Sequence, residues 1–178
     1  MPPAKGGGME ISMLESYFSQ YKIKRITEKN LIDVYELCKK NTSYYKYLNM
    51  APTIQNIREE LTNLPPGKTI NDLYFVGFYK ENQLVAIVHF IIKWPDINTA
   101  YIGWFMVNKD MQGMGIGKKL IGELCVCLKN EGFKYVKLGC IKNNVEAISF
   151  WIKNEFSFVG SEIDTGSYIV ISMQKKLD

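Results

Sequence analysis

The chain has 178 residues, 47% of them hydrophobic and 22% charged, which suits one globular domain and excludes a largely disordered chain. Its longest apolar run, Leu84 to Ile92 interrupted by His89, is far short of the ~20 residues of a membrane helix. The net charge is +4, and only Arg25 and Arg58 among the 22 basic residues are arginines, a poor composition for reading DNA but adequate for a small polyanion.

Met1 to Gly8 reads MPPAKGGG and resembles an added leader, so that 9–178 forms the single domain and Met9 or Met13 is the expected natural start. Tyr21 to Ile26 alternates as a first strand. Thr27 can cap a helix to about Lys40, with Leu31, Val34, Tyr35 and Cys38 on one face. A tyrosine-rich loop follows from Tyr44 to Met50. A second short helix is expected over Thr53 to Leu64, stopped by Pro65-Pro66-Gly67.

Leu73 to Tyr79 and Leu84 to Trp94 read as a hairpin turned at 80–83, and Ala100 to Val107 as a further strand. A helix runs from about Gly115 to Asn130, with Ile116, Leu120, Leu124 and Leu128 at spacing four and Gly132 at the C′ position. Lys134 to Ile141 is a strand, Asn144 to Asn154 a helix, and Phe156 to Ile163 and Tyr168 to Gln174 close the chain as two strands. This order predicts an α/β (α+β) fold, with a mixed sheet and helices on its faces.

The four cysteines do not form a metal clamp. Cys125 and Cys127 stand two apart in the long helix and so face different ways, and one histidine in the chain offers little else for zinc. Buried free thiols in a reducing, cytoplasmic setting are expected, with no metal.

The segment with chemistry is Gln112-Gly113-Met114-Gly115-Ile116-Gly117-Lys118, between a strand and a helix. Its alternate glycines let a loop present consecutive backbone N–H groups, and the helix adds its positive end, which together make a phosphate cradle. The Walker A spacing fails because Gln112 stands where its first glycine belongs, and the dinucleotide spacing fails at Lys118 and Leu120.

Gln112-x-x-Gly115-x-Gly117 resembles the acetyl-CoA signature of the GNAT superfamily of N-acetyltransferases. Tyr101 to Val107 looks like that family's central strand. Asn144-x-x-Ala147-x-x-Phe150-Trp151, with Phe156 beyond, is similar to its second signature. The resemblance covers about residues 21–175. It implies a mostly antiparallel sheet of about six or seven strands with about four helices, splayed between its fourth and fifth strands.

It also implies acetyl-CoA as co-substrate. The pyrophosphate would lie on the backbone of Gln112 to Lys118 (Gln112, Gly113, Met114, Gly115, Ile116, Gly117 and Lys118). The pantetheine arm would pair with Phe105, Met106 and Val107 like an added strand. Asn144, Ala147, Phe150 and Trp151 would line the opposite wall. The N–H of Met106 or Val107 would hold the oxyanion while an amine attacks the thioester directly.

The sequence departs from the family in three places. Trp151 stands where many members have a tyrosine acid, Tyr101 stands where many have a glutamate base, and Glu155 stands where glycine is usual. Catalysis then rests on positioning and ordered water, or on another side chain, with Tyr101 the first candidate and His89 behind it, although a histidine alternating with Val85, Ile87 and Ile91 better suits a sheet face. Tyr44, Tyr45 and Tyr47 are expected at the acceptor site, where aromatic faces can take an ammonium. The implied partner is a small-molecule or peptide primary amine, with no nucleic acid or membrane, and with room for a homodimer. The alternative is an acetyl-CoA-binding sensor on the same fold.

Overall fold

The computed structural model describes residues 9–178, so the leader expected over 1–8 lies outside the described residues. Eight strands are described: β1 (Lys22–Arg25), β2 (Leu73–Lys80), β3 (Gln83–Ile92), β4 (Thr99–Val107), β5 (Tyr135–Ile141), β6 (Ser157–Phe158), β7 (Ile163–Asp164) and β8 (Ile169–Lys176). The helices are α1 (Ile11–Tyr17), α2 (Leu31–Lys40), α3 (Thr42–Tyr47), α4 (Ile54–Glu59), α5 (Ile116–Asn130) and α6 (Val145–Lys153). The strands form one sheet in the order β1-β2-β3-β4-β5-β8-β6, with β7 also on β8. Every pairing is antiparallel except β4 with β5.

Two apolar cores sandwich the sheet. Leu14 and Phe18 of the α1 region, Leu120, Ile121, Leu124 and Leu128 of α5, and Trp151 of α6 pack against Phe90, Ile102 and Leu138 on one face. On the other, Leu31, Val34 and Leu37 of α2, Tyr45 of α3 and Ile57 of α4 cover Phe75, Ile87 and Met106. Burial of this kind is worth about 25 cal/mol per Å² of apolar surface, and it holds the helices to the sheet without any cross-link.

One helix goes beyond the expected elements and three expectations need correction. Helix α1 puts Ile11 and Leu14, with Phe18 just past its end, on one face against the core. The tyrosine-rich loop is in part helix α3, because Tyr45 is buried against α2 and brings its neighbours into helical register. Helix α4 ends at Glu59, where Glu60, Leu61 and Thr62 tighten to bonds onto residues three back. The strand expected over Phe156 to Ile163 is broken into β6 and β7, with Gly160 at φ +73° between them.

Both long helices that flank the site end in the same way. Phe133 N–H donates to Leu128 O and Gly132 N–H to Lys129 O at the end of α5. Phe156 N–H donates to Trp151 O and Glu155 N–H to Ile152 O at the end of α6. Each is a Schellman turn that needs a left-handed residue. Gly132 supplies it at φ +93°, and Glu155 adopts it at φ +69° despite its side chain. The turn that glycine usually makes is therefore kept here, at a cost in backbone strain.

Candidate active site

Strands β4 and β5 pair only from Thr99–Tyr135 to Ile102–Leu138. Beyond that they part, while β5 keeps its antiparallel pairing with β8 as far as Ile141. The wedge between them opens a cleft of 680 Å³, floored by β4 from Ile102 to Val107.

The backbone direction in β4 decides which groups face the wedge. Asn108 N–H donates to Val85 O, so the antiparallel alternation turns the Met106 N–H back toward β3. The N–H groups of Phe105 and Val107 face the wedge instead. Of the two oxyanion donors expected, Met106 thus has its N–H turned toward β3, and Val107 has its N–H toward the wedge. The Met106 side chain packs in the core on the α2 side.

The glycine loop lies at the mouth of this cleft. Gly113 and Gly115 have φ +78° and +80°, and Gly115 is the residue before α5. Gly117 is needed for a different reason: a Cβ there would lie 3.0 Å from Phe150 Cε2 and 3.5 Å from Val107 Cγ2. Gln112, Gly113, Gly115, Gly117 and Lys118 line the cleft. Met114 and Ile116 do not, since Met114 is exposed and Ile116 packs on the core. Those two can contribute only main-chain groups.

Gln112 does more than extend the loop. Its Nε2 donates to Asn41 Oδ1 at 2.7 Å and to Val107 O at 3.0 Å, while Asn41 Nδ2 donates to Val107 O at 3.2 Å and Leu37 O at 2.9 Å. The end of α2 is thereby tied to the last residue of β4. Asn41 has no local signal in the sequence, because its partner stands 71 positions away.

The opposite wall comes from α6. Asn144 caps it, with Oδ1 accepting from Ala147 N–H at 3.1 Å. Phe150 stacks on Phe105 at 5.8 Å, and Trp151 lies edge-on to Phe150 at 4.9 Å and to Phe156 at 5.1 Å. Asn144, Ala147, Phe150 and Trp151 all line the cleft, as expected. So does Cys140, but burial pushes its thiol up to about 11, so it stays protonated and inert.

A second cavity of 510 Å³ adjoins the first, on the α3–α4 side of the sheet. Tyr44, Leu48, Gly103, Trp104 and Tyr168 line both. Its other walls include Tyr45, Glu59, Glu60, His89, Trp94 and Tyr101. Of the three tyrosines expected at the acceptor site, Tyr44 and Tyr45 line this cavity, whereas Tyr47 lines neither cavity. Burial holds the phenols of Tyr44, Tyr45 and Tyr101 above their ordinary value, so they remain protonated at neutral pH. Tyr101 is therefore no base. Its ring meets Trp94 edge-on at 4.7 Å, and its hydroxyl lies 3.1 Å from where a Cβ on Gly139 would stand.

The two cavities differ in charge. Lys118, Lys153 and Glu146 line the first. Glu59 and Glu60 line the second, with no lysine or arginine among the described residues around it. Among the described residues no cluster of three or more His, Cys, Asp or Glu side chains could hold a metal, and no helix is long and apolar enough to cross a membrane.

Comparison with known proteins agrees with this geometry. No curated protein sequence matches the chain. An acetyltransferase from Thermus thermophilus superposes with a TM-score of 0.74 at 17% identity, covering 89% of this chain and 97% of that one. An acetyltransferase from Salmonella typhimurium that modifies the N-terminal serine of ribosomal protein L7/L12 gives 0.70 at 15% identity, covering 90% and 96%. The PaiA N-acetyltransferase from Thermoplasma acidophilum, solved in complex with coenzyme A, gives 0.62 at 21% identity, covering 88% and 98%. These likenesses establish the splayed sheet as a shared fold. The model of the Acetyltransferase (GNAT) family matches residues 34–156, which carry the glycine loop, the wedge and the α6 wall. With more than half its length matched, this chain belongs to the GNAT family of acetyltransferases.

Proposed function

We propose that the protein transfers an acetyl group from acetyl-CoA to a primary amine, by direct attack with both substrates bound. The observation that carries this reading is the junction of the two cavities at Gly103 and Trp104, where a backbone-lined wedge opens into an aromatic, anionic chamber.

The residues present fit acetyl-CoA. The left-handed Gly113 and Gly115 and the start of α5 offer N–H groups to a pyrophosphate, with Lys118 beside them. The free edge of β4 at Phe105 and Val107 offers strand-like hydrogen bonds to a pantetheine amide. Val107 N–H then faces the wedge as a donor for the developing oxyanion, and removing one such donor typically costs about 10²–10³ in kcat. The coenzyme A bound to the Thermoplasma relative supports the same assignment. The second chamber would take the amine, entering as an ammonium drawn by Glu59 and Glu60 and by the faces of Tyr44 and Trp104. The one thiol lining the cleft, Cys140, stays protonated, so an acyl-enzyme has no place in the scheme.

The test is the melting temperature with acetyl-CoA and CoA, with NAD and ATP as controls, followed by an amine screen read by thiol release. Ligand at 100 times its Kd adds about 2.7 kcal/mol, a rise of roughly 5–11 °C at this size. A rise confined to the CoA ligands, with amine-dependent thiol release, is the expected result. A rise without release from any amine would instead favour a cofactor-binding sensor.

A further inference from the structure

We propose that Glu60 and His89 together accept the proton that the acceptor ammonium must lose, Glu60 meeting the ammonium and His89 acting through it. This deepens the acetyltransferase reading and rests on it.

The two positions where the family resemblance places proton-transfer groups hold Tyr101 and Trp151, neither of which can act as a base at neutral pH. The chain therefore needs another acceptor. His89, its single histidine, lies on β3 beneath the second chamber and is only 2% exposed. Among the described residues neither ring nitrogen has a hydrogen-bond partner. The Glu60 carboxylate and the main chain of Glu60 and His89 lie close enough to favour the charged ring, yet none makes a well-formed hydrogen bond to it, and a buried imidazole held this loosely is costly.

The local backbone is shaped around that ring. The pairing of β3 with β4 slips between His89 and Phe90, leaving Gly103 as an extra residue in β4. A Cβ on Gly103 would stand 2.8 Å from His89 Nδ1. Phe75 holds the ring from another side, edge-on at 5.5 Å.

The Glu60 carboxylate lies 3.6 Å from His89 Nε2, with its side chain 32% exposed. It thus touches the chamber, the imidazole and solvent together. The ionisable groups facing the pair are Tyr44 and Tyr45 from α3, Glu59 from α4, Tyr101 from β4 and Tyr168 ahead of β8, with no lysine or arginine in the described lining. Burial lowers His89 from its ordinary value while Glu60 opposes the shift, so the imidazole is neutral and ready to accept at neutral pH.

The step balances. One N–H bond of the ammonium breaks, and its proton passes to a Glu60 carboxylate oxygen and from there to His89 Nε2. The freed lone pair forms the C–N bond at the thioester carbonyl. The C–S bond then breaks, its electron pair leaving on sulfur, which takes the second proton from the nitrogen. The proton held by the pair returns to solvent along the exposed side of Glu60.

The experiment compares wild type, Glu60→Gln, His89→Gln and the double variant, using 2-phenylethylamine as acceptor and thiol release as readout from pH 6 to 10. Each single variant should lose about 10²-fold in kcat near neutral pH. The double should lose no more than the worse single, because the pair acts as a unit. The rates of the variants should climb tenfold per pH unit toward the amine's own pKa, where free amine needs no acceptor, while wild type levels off earlier. The acetyl-CoA-induced rise in melting temperature should persist in all four.

Because His89 is buried, its variant can fail to fold. Glu60→Gln then carries the kinetics, and the titration of the single histidine by NMR carries the coupling: loss of the carboxylate should lower the imidazole pKa further. A Glu60→Gln variant with unchanged kcat and only a raised KM for the amine overturns the proposal, leaving Glu60 as a docking charge. So does an unmoved histidine titration. Absence of release by wild type from 2-phenylethylamine and from every amine of the screen, with acetyl-CoA still raising the melting temperature, overturns the transferase reading and the pair with it. It is distinguished from the failure of the pair alone by wild-type turnover.

Discussion

The two halves of the site are built by opposite means. The first cleft offers its hydrogen-bonding groups from main chain, at an unpaired strand edge, a loop of left-handed glycines and a helix start, with lysines at its rim and the aromatic wall of α6 opposite. The acceptor chamber is made of side chains from several separate elements and is lined by two glutamates, with no lysine or arginine among its described residues. A backbone site can bind the same ligand on many sequences, whereas a side-chain site is free to change. On the proposed reading, the first cavity would hold acetyl-CoA through groups that tolerate many side chains, and the second would receive the acceptor through side chains particular to this chain.

The sharpest way to break that contrast is to put a side chain into the backbone half. Gly115→Glu places a carboxylate beside the phosphate cradle and forces a residue with a Cβ into φ +80°. It should abolish the melting shift with acetyl-CoA, a loss of at least about 100-fold in affinity, or ~2.7 kcal/mol. Gly115→Asn separates the two causes, because asparagine tolerates the left-handed region and adds no charge. It should keep most of the shift. Full retention by the glutamate variant in a folded protein would mean that the phosphates lie elsewhere.

The same contrast governs what was legible in the sequence. The cofactor half is local: Gln112 to Lys118 and Asn144 to Trp151 are short runs whose spacing carries their geometry, and the splay at β4 follows from the family resemblance they support. Even there, which of the Met106 and Val107 N–H groups faces the wedge depends on strand register, and register is not written in either residue. The acceptor half is non-local. Glu60, His89 and Tyr168 line one cavity only because a helix end, a strand and a loop fold together, and Tyr47 looks no different from Tyr44 until α3 winds and turns it aside. The bulge that seats His89 needs Gly103, a glycine that in sequence is one of 14.

A smaller effect should distinguish the halves by pH. The acceptor half buries an imidazole whose folded pKa lies below its unfolded value of about 6.5. The unfolded chain therefore binds the extra proton first. Stability from this group is complete above the unfolded value and is lost as pH falls through it toward the folded value. The stability of wild type relative to His89→Gln should decline from pH 7.5 to 5 for this reason. Since the chain has one histidine, no other imidazole contributes. A flat difference over that range would mean that the ring is solvated or charged in the folded protein, and that the chamber floor is more open than its 2% exposure indicates.

The smallest effect concerns the rim of the cofactor cleft. Lys118 is exposed at the start of α5, one residue past the close contact of Gly117 with Phe150, and among the described residues no acidic side chain forms an ion pair with it. Its charge acts across water, where an exposed interaction is worth about 0.2–1 kcal/mol and is screened over about 10 Å at 0.1 M salt. Lys118→Met should therefore weaken acetyl-CoA binding by only about two- to fivefold, and the deficit should shrink as salt rises toward 1 M. Titration calorimetry at two salt concentrations measures both. A loss as large as that of Gly115→Glu would transfer the main recognition of phosphate from the loop's N–H groups to one side chain, and the division of the site into a backbone half and a side-chain half would no longer hold.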